Sequence, residues 1–268
     1  MRFDGVLLAS DYDGTLTGSN GTIPPRNAEK IREFIREGGL FTVCTGRTFQ
    51  GCHFYDPSLI NAPVLQANGA AAYDYAARKH LFCDGLGDEC FAAVEAIYRD
   101  FPTAGIELYP LAEHEAYTLR MTPDSARHFA AQDIVPLPVT RLSETAPPFQ
   151  KVMIAAQGGF SSGVQALLDK HPEVRYLPTS GDWVEILKKG VDKGAGLAKL
   201  ARLLGCKPQN VYGIGDGYND LDMKRGAAAF FVPSDGAPEA LAAATQVVAP
   251  RDEGAVAAAI ERLEERYA

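Results

Sequence analysis

The chain has 268 residues, 46% of them hydrophobic and 22% charged, which excludes a disordered polymer and leaves material for a large core plus a second, smaller domain. Acidic residues (34) outnumber basic ones (26), and the net charge of -8 with no basic run excludes a broad nucleic-acid footprint, so an anionic ligand must meet a local positive site. The five cysteines, Cys44, Cys52, Cys83, Cys90 and Cys206, are odd in number and form no CxxC pair, which argues against a disulfide framework or a zinc site.

Read in chain order, short apolar runs of strand length alternate with helical patterns, as a parallel sheet covered by helices requires. VLLAS (6–10) is the first run; it breaks off at Asp11 and Asp13, with Gly14 and Thr15 directly after. SNG (19–21) carries the Asn-Gly signature of a hairpin turn, equally compatible with an ordinary surface turn. IPPRNAEKIREFIREGG (23–39) predicts a helix: prolines suit its first turn, Ile31, Phe34 and Ile35 recur at helical spacing, and Gly38-Gly39 stop it. LFTVC (40–44) follows as a strand ending at Thr45-Gly46-Arg47, and APVLQANGA (62–70) as a third short run.

From 84 to 187 the pattern changes to a helix (87–102), strands at 106–111 and 116–122, a helix (123–134), a strand (151–156), a helix (161–172) and strands at 174–178 and 182–187. Alternation in AYTLRMT (116–122) predicts a sheet with one solvated face. The first pattern then resumes with a helix (194–205), a strand (210–215), a helix near 219–226, strands at 229–233 and 246–249, and a terminal helix (253–268). The expected fold class is α/β: a Rossmann-like, doubly wound parallel-sheet core at 1–83 and 188–268, interrupted by an inserted α+β domain at 84–187. Asp4 interrupts the only apolar stretch near the start and no run reaches membrane-spanning length, so the expectation is a soluble cytoplasmic protein without a membrane partner.

Three apolar strands end in polar residues, at Asp11, Thr45 and Asp216. The carboxyl ends of parallel strands border the ligand crevice of an open α/β sheet, so these ends can converge. A single Asp after a strand is an ordinary turn or capping residue; three coincident ends point to a site. Clustered carboxylates repel unless a cation balances them, and Asp11, Asp13 and Asp216, hard oxygen donors without a His-Cys cluster, suggest octahedral Mg2+.

The motifs DYDGTL (11–16), Thr45 in CTGR, Lys193 in GVDKGAGL and GDGYNDLDM (215–223) occur in order, and in this the sequence resembles the haloacid dehalogenase superfamily. The insertion between the second and third motifs and the GDGxND fourth motif resemble its type IIB, or Cof-like, sugar-phosphatase branch. The resemblance implies that Asp11 is a nucleophile forming an aspartyl-phosphate and that Asp13 is the acid and base, with its backbone carbonyl on the metal. It implies further that Asp216 completes the metal ligands and that Thr45, Gly46, Lys193 and Asn219 contact phosphate, with Asp220 behind them orienting the lysine or the metal's waters. Asn219 and Asp220 also suit helix N-caps, Lys193 a solvated helix start, and Asn68-Gly69 a simple turn. Arg47 either forks onto phosphate or pairs with a surface acid.

The insertion would act as a cap that excludes water and selects the leaving group, with Glu113, His114, Arg120, Trp183 and Glu185 as candidate readers. The implied activity is Mg2+-dependent hydrolysis of a small phosphorylated metabolite, a sugar phosphate foremost, with a phosphosugar mutase or a mannosyl-phosphoglycerate or sucrose-phosphate type phosphatase as alternatives. A phosphoacceptor signalling module shares the strand-end Asp and the Lys but has no use for a second, proton-shuttling acid. A dinucleotide-binding module fits GIGDG (213–217) poorly, since the third glycine of GxGxxG is missing. Oligomeric state is not readable from the sequence.

Overall fold

In the computed structural model, which describes residues 1–111, 115–156, 161–179 and 181–268, strand β1 (Leu7–Ser10) is buried along its whole length. A strand apolar on both sides needs cover on both sides, and helices wound to either face of one sheet supply it. The chain continues through α1 (Pro25–Arg36), β2 (Leu40–Val43), β3 (Val64–Gln66), β4 (Ala71–Asp74) and β5 (Lys79–Cys83). Next come α2 (Phe91–Asp100), β6 (Gly105–Pro110), β7 (Tyr117–Arg120), α3 (Pro123–Ala131), β8 (Leu137–Pro138), β9 (Phe149–Ala155), α4 (Ser161–Leu168), β10 (Val174–Pro178) and β11 (Trp183–Lys188). The last stretch is α5 (Lys193–Leu203), β12 (Val211–Ile214), α6 (Met223–Gly226), β13 (Ala229–Pro233), α7 (Pro238–Ala243), β14 (Gln246–Val248) and α8 (Ala255–Arg266).

Contacts divide the chain into two compact units, one of Met1–Gly46, Phe54–Phe82 and Asp192–Ala268, the other of Arg47–His53 and Cys83–Val191. The first holds a five-stranded sheet in the order β14-β13-β12-β1-β2 in which every neighbouring pair is parallel. Period-two alternation sends Leu8, Phe41, Val43, Tyr212 and Ile214 to one face, against Ile31 and Phe34 of α1 and Val256, Ile260 and Leu263 of α8. Leu7, Ala9, Val211, Phe230 and Val232 pack on the other face against Leu197 and Leu200 of α5, Met223 of α6 and Ala240 of α7. The fold is therefore α/β and doubly wound, as the sequence pattern leads one to expect. Among the described residues no helix is long and apolar enough to cross a membrane, and all five cysteines are free thiols.

The second unit is built on a six-stranded sheet, β10-β11-β9-β6-β7-β8, antiparallel except for the parallel β7–β8 pair. Ile106, Leu108, Val152, Ile154, Val184 and Ile186 pack with α2 and α4 on one face, while Phe129 of α3 packs with Tyr109 and Met153 on the other. Residues 47–53 join this unit because Gln50 Nε2 donates to Pro110 O (3.2 Å) and Glu115 O (2.8 Å), and Phe49 N donates to Gln150 Oε1 (3.2 Å).

Four local expectations change. Strands β4 and β5 extend the third apolar run into a small sheet, β3-β4-β5; they carry no readable alternation because β5 is only partly buried on both sides. Helix α7 and the two-residue β8 are too short for a periodic signal. The Ser19–Gly21 turn closes through Gly18 N to Thr22 O (2.8 Å) without flanking strands, and is anchored instead by Ser19 N and Oγ donating to the Asp252 carboxylate (2.7 and 2.9 Å). Tyr117, Thr118 and Leu119 are all buried, so β7 has no open face there: part of the sheet's second side lies under α3.

Phe34 is fully buried, 4.7 Å from the Phe3 ring, and backs onto Gly39. Phe34→Ala should therefore cost about 3–5 kcal/mol. In urea denaturation the midpoint should fall with an unchanged slope, and a loss below about 1 kcal/mol would contradict this packing.

Candidate functional site

The parallel register brings three chain segments to one edge of the first unit's sheet. Ser10 lies opposite Val43 on one side and Ile214 on the other, so Asp11, Cys44-Thr45 and Gly215-Asp216 follow side by side. Asp11 N donates to Ile214 O and Cys44 N to Ser10 O, both at 2.8 Å, which extends the ladder one residue beyond the strands. Tyr12–Leu16 then forms an irregular helical turn in which Gly14 takes φ +84°. A Cβ there would sit 2.8 Å from Asp216 Oδ2, so the position needs glycine for its backbone and for its lack of bulk. Thr15 Oγ1 donates to Asp216 Oδ1 at 2.5 Å and holds that carboxylate in place.

Lys193 opens α5, whose N-cap is Asp192; Asp192 Oδ1 accepts from Ala195 N at 2.8 Å. A helix N-terminus repels a cation, so anions must hold this ammonium. They do: Lys193 is 0% exposed and its Nζ donates to Asp11 Oδ1 and, at 2.5 Å, to Asp220 Oδ1. Asp220 Oδ2 in turn accepts from Gly217 N at 2.8 Å. Burial by itself lowers the basicity of Lys193, but Asp11 and Asp220 outweigh it and raise its pKa above the usual lysine value. Burial pushes Asp11 up to about 8, with Asp220 and Asp216 adding to the rise and Lys193 opposing it. Asp216 is raised chiefly by burial, against the Thr15 hydrogen bond. Burial also lifts the neighbouring Cys44 thiol to about 12, which keeps it protonated and rules it out as a thiolate nucleophile.

Asp11, Asp216 and Asp220 each offer a carboxylate oxygen, and these atoms lie within 4.8 Å of one another. Three carboxylates face one ammonium, and every donor is a hard oxygen. That set suits a hard divalent cation such as Mg2+. Asp220, expected behind the metal's ligands, stands in the same group as Asp11 and Asp216, but both of its oxygens are engaged, Oδ1 by Lys193 Nζ and Oδ2 by Gly217 N. Asp13 is exposed and contributes no carboxylate to this group.

Asn68 N donates to Thr45 O (2.9 Å), and Asn219 Nδ2 donates to Asn68 Oδ1 (3.0 Å). A Cβ on Gly46 would lie 3.4 Å from the Asn68 amide. Asn68, at φ +53°, thus ties the segment after β2 to the fourth motif, a link that a turn signature in the sequence does not reveal. Thr15 was legible only as part of a turn, and its hold on Asp216 is likewise a tertiary fact.

Arg47 belongs to the second unit, where its Nη1 donates to Gly51 O at 3.3 Å. Arg120, expected as a reader of the leaving group, instead donates to Phe101 O (2.7 Å), Ala104 O (3.1 Å) and Tyr98 O (2.6 Å) and lies over the Tyr98 ring, which makes it a cap for the end of α2. The Trp183 ring lies 4.7 Å from that of His128, tilted by 50°, and Glu185 stands 3.3 Å from Lys151. Glu113 and His114 lie outside the described residues. Buried Glu107 was not among the expected site residues; its Oε2 meets the Tyr109 hydroxyl and His128 Nδ1, both at 2.7 Å.

The family model for haloacid dehalogenase-like hydrolases matches residues 8–260. A 5-amino-6-(5-phospho-D-ribitylamino)uracil phosphatase of Bacillus subtilis is 26% identical, over 96% of this chain and 97% of its own. The pyridoxal phosphate phosphatase of Escherichia coli is also 26% identical, over 90% of this chain and 92% of its own. The solved structure of a subclass IIB sugar phosphatase of the haloacid dehalogenase superfamily superimposes with a TM-score of 0.84 at 20% identity, over 97% of this chain and 99% of that one, and at this identity the likeness speaks for the fold.

A carboxyl group whose folded pKa is raised keeps its full contribution below the unfolded value, near 3.8, and loses it as pH rises through the folded value, about 8. In EDTA, Asp11→Asn should therefore gain stability relative to the unsubstituted protein as pH rises from 4 to about 8. Paired thermal melts across that range check it, and a flat difference would sink the assignment of Asp11 as a carboxylate strained by its surroundings.

Proposed function

The chain belongs to the haloacid dehalogenase-like hydrolases, in their type IIB, Cof-like branch, and is a phosphatase; from that membership we propose that it hydrolyses the phosphate monoester of a small metabolite, a sugar phosphate, with Asp11 as nucleophile and Mg2+ as cofactor. The observation that carries the reading is the buried Lys193 ammonium shared by Asp11 and Asp220 beside Asp216. The similar proteins act on a ribityl phosphate, on pyridoxal phosphate and on sugar phosphates, all monoesters of small molecules, which supports the substrate class.

Asp11, Asp216 and the backbone carbonyl of Asp13 are assigned to hold Mg2+, with Asp220 fixing Lys193 beside them. When bound, Mg2+ offsets the charge of the carboxylates and of the phosphoryl oxygens. An Asp11 carboxylate oxygen bonds to phosphorus as the phosphorus–ester oxygen bond breaks, and Asp13 gives its proton to the departing alkoxide. Water then attacks phosphorus, Asp13 takes a proton from it, the bond between Asp11 and phosphorus breaks, and inorganic phosphate leaves. The exposure of Asp13 suits a group that must exchange protons with both an alcohol and water.

Once Asp11 is bonded to phosphorus its negative charge is reduced, and Lys193 gains donor capacity for the phosphoryl oxygens. Thr45 with the amides after it, and Asn219 held by Asn68, are assigned the remaining donor positions. These groups touch only what every phosphate monoester shares. Choice of the leaving group, with Arg47, Trp183 and Glu185 as candidate residues, is therefore assigned to the second unit.

Phosphate release from a panel of sugar, nucleotide and cofactor phosphates tests the reading: sugar phosphates should lead, EDTA should abolish turnover and Mg2+ restore it. Asp11→Asn should lower kcat by at least about 1,000-fold while the protein stays folded; wild-type turnover in that variant with Mg2+ present would rule out Asp11 as nucleophile. Asp13→Ala should slow release of an alkyl leaving group far more than of p-nitrophenol, whose phenolate departs without a proton. Equal losses on both would remove Asp13 from the acid role.

A further inference from the structure

At the opposite end of the first unit's sheet from Asp11, the last turns of α5, the start of β12 and the end of α6 line a half-open cavity of about 820 Å3. That volume falls in the range of about 300–1,000 Å3 typical of small-molecule sites. Its wall is made of small apolar residues such as Ala201, Val211 and Ala227, while Arg202, Lys207 and Arg225 bring three cations to its lining and no carboxylate lines it. Arg225 is balanced by Asp192 and Asp222, so the surplus positive charge of the lining, in a chain of net charge -8, is that of Arg202 and Lys207. Arg202 and Lys207 are exposed, and among the described residues neither has a carboxylate partner.

Arg225 connects this cavity to the catalytic edge. Its Nη2 donates to Asp192 Oδ2 at 2.6 Å and pairs with Asp222 Oδ1 at 2.9 Å. Asp192 caps α5 directly before Lys193. The backbones also touch: a Cβ on Gly194 would run into the Asp222 carbonyl and one on Gly226 into the Gly194 carbonyl, so the first turn of α5 and helix α6 cannot shift independently. The Arg225 side chain is 66% exposed, so an anion in the cavity would compete with Asp192 for its guanidinium and thereby act on the turn that aims Lys193.

We propose that this cavity is an effector site for an organic anion with an apolar body, and that its occupancy is transmitted to Lys193 through Arg225 and Asp192. The transmission rests on the assignment of Lys193 to phosphate; the binding does not. 8-Anilinonaphthalene-1-sulfonate has this chemistry and serves as the probe, titrated by fluorescence into the full chain with Mg2+ present.

Binding should be one to one. Arg202→Glu combined with Lys207→Glu should weaken it at least tenfold, and so should Ala198→Trp, which fills the cavity from an exposed position. Asp11→Asn, inactive under the proposed function, should bind the probe like the unsubstituted protein, so the site is testable even if no phosphatase activity is found. Saturating probe should lower kcat of the unsubstituted protein by about fivefold or more, whereas the cavity variants should keep the basal kcat and ignore the probe. Equal probe affinity in the cavity variants would overturn the site. Cavity-dependent binding without a change in kcat would overturn the transmission.

Discussion

A lysine ammonium with no exposed surface, lodged at a helix start and gripped by two carboxylates, sets the terms for the rest of this molecule. Removing the one ammonium from such a buried set costs about 3–5 kcal/mol, because the carboxylates left behind have neither water nor counter-ion. Lys193, Asp11 and Asp220 are therefore bound to each other's presence, although they come from the first strand, the fifth helix and the fourth motif. Their meeting requires the parallel register of β2-β1-β12, since a slip of one residue would turn Asp11 away from the crevice edge.

The charges do not balance within the protein. Asp216 joins Asp11 and Asp220 in a set of carboxylates faced by a single ammonium, and burial makes the ionised form of Asp11 harder to keep. A cluster arranged this way is a poor stabiliser by itself, and the proposed function gives its surplus charge a use in receiving a divalent cation and a phosphoryl group. Neighbouring residues hold it in position: Thr15 grips Asp216, Gly14 gives that carboxylate room, Gly217 N holds Asp220, and Asn68 holds Asn219. The proposed chemistry then needs little rearrangement of the protein, which is how preorganised sites lower a barrier.

The two units carry different kinds of polarity. In the first, charge concentrates where parallel strands end. In the second, polar groups sit on one face of a largely antiparallel sheet, where Glu107 meets Tyr109 and His128, and Lys151 stands beside Glu185. Arg120 shows how easily such residues mislead: a cation on a strand suggests a ligand, yet its guanidinium closes the carbonyls at the end of α2. Residues 47–53 follow the core strand β2 in sequence but join the second unit through the amide of Gln50.

By itself the sequence determined the fold class, most of the longer helices and strands, and Asp11 and Asp216 as candidates, because periodicity and strand-end polarity are local patterns read along the chain, whereas Lys193 stood out only through the order of the family's motifs. Short elements such as β8 and α7 escaped it, since a few residues carry no period. Only the tertiary structure decided that Asp220 stands with the other two carboxylates, that Thr15 and Asn68 hold members of the site, and that Arg225 reaches Asp192. Each of these is a contact between residues distant in sequence, and its energy depends on burial and distance, which exist only once the strands have paired and the helices have packed.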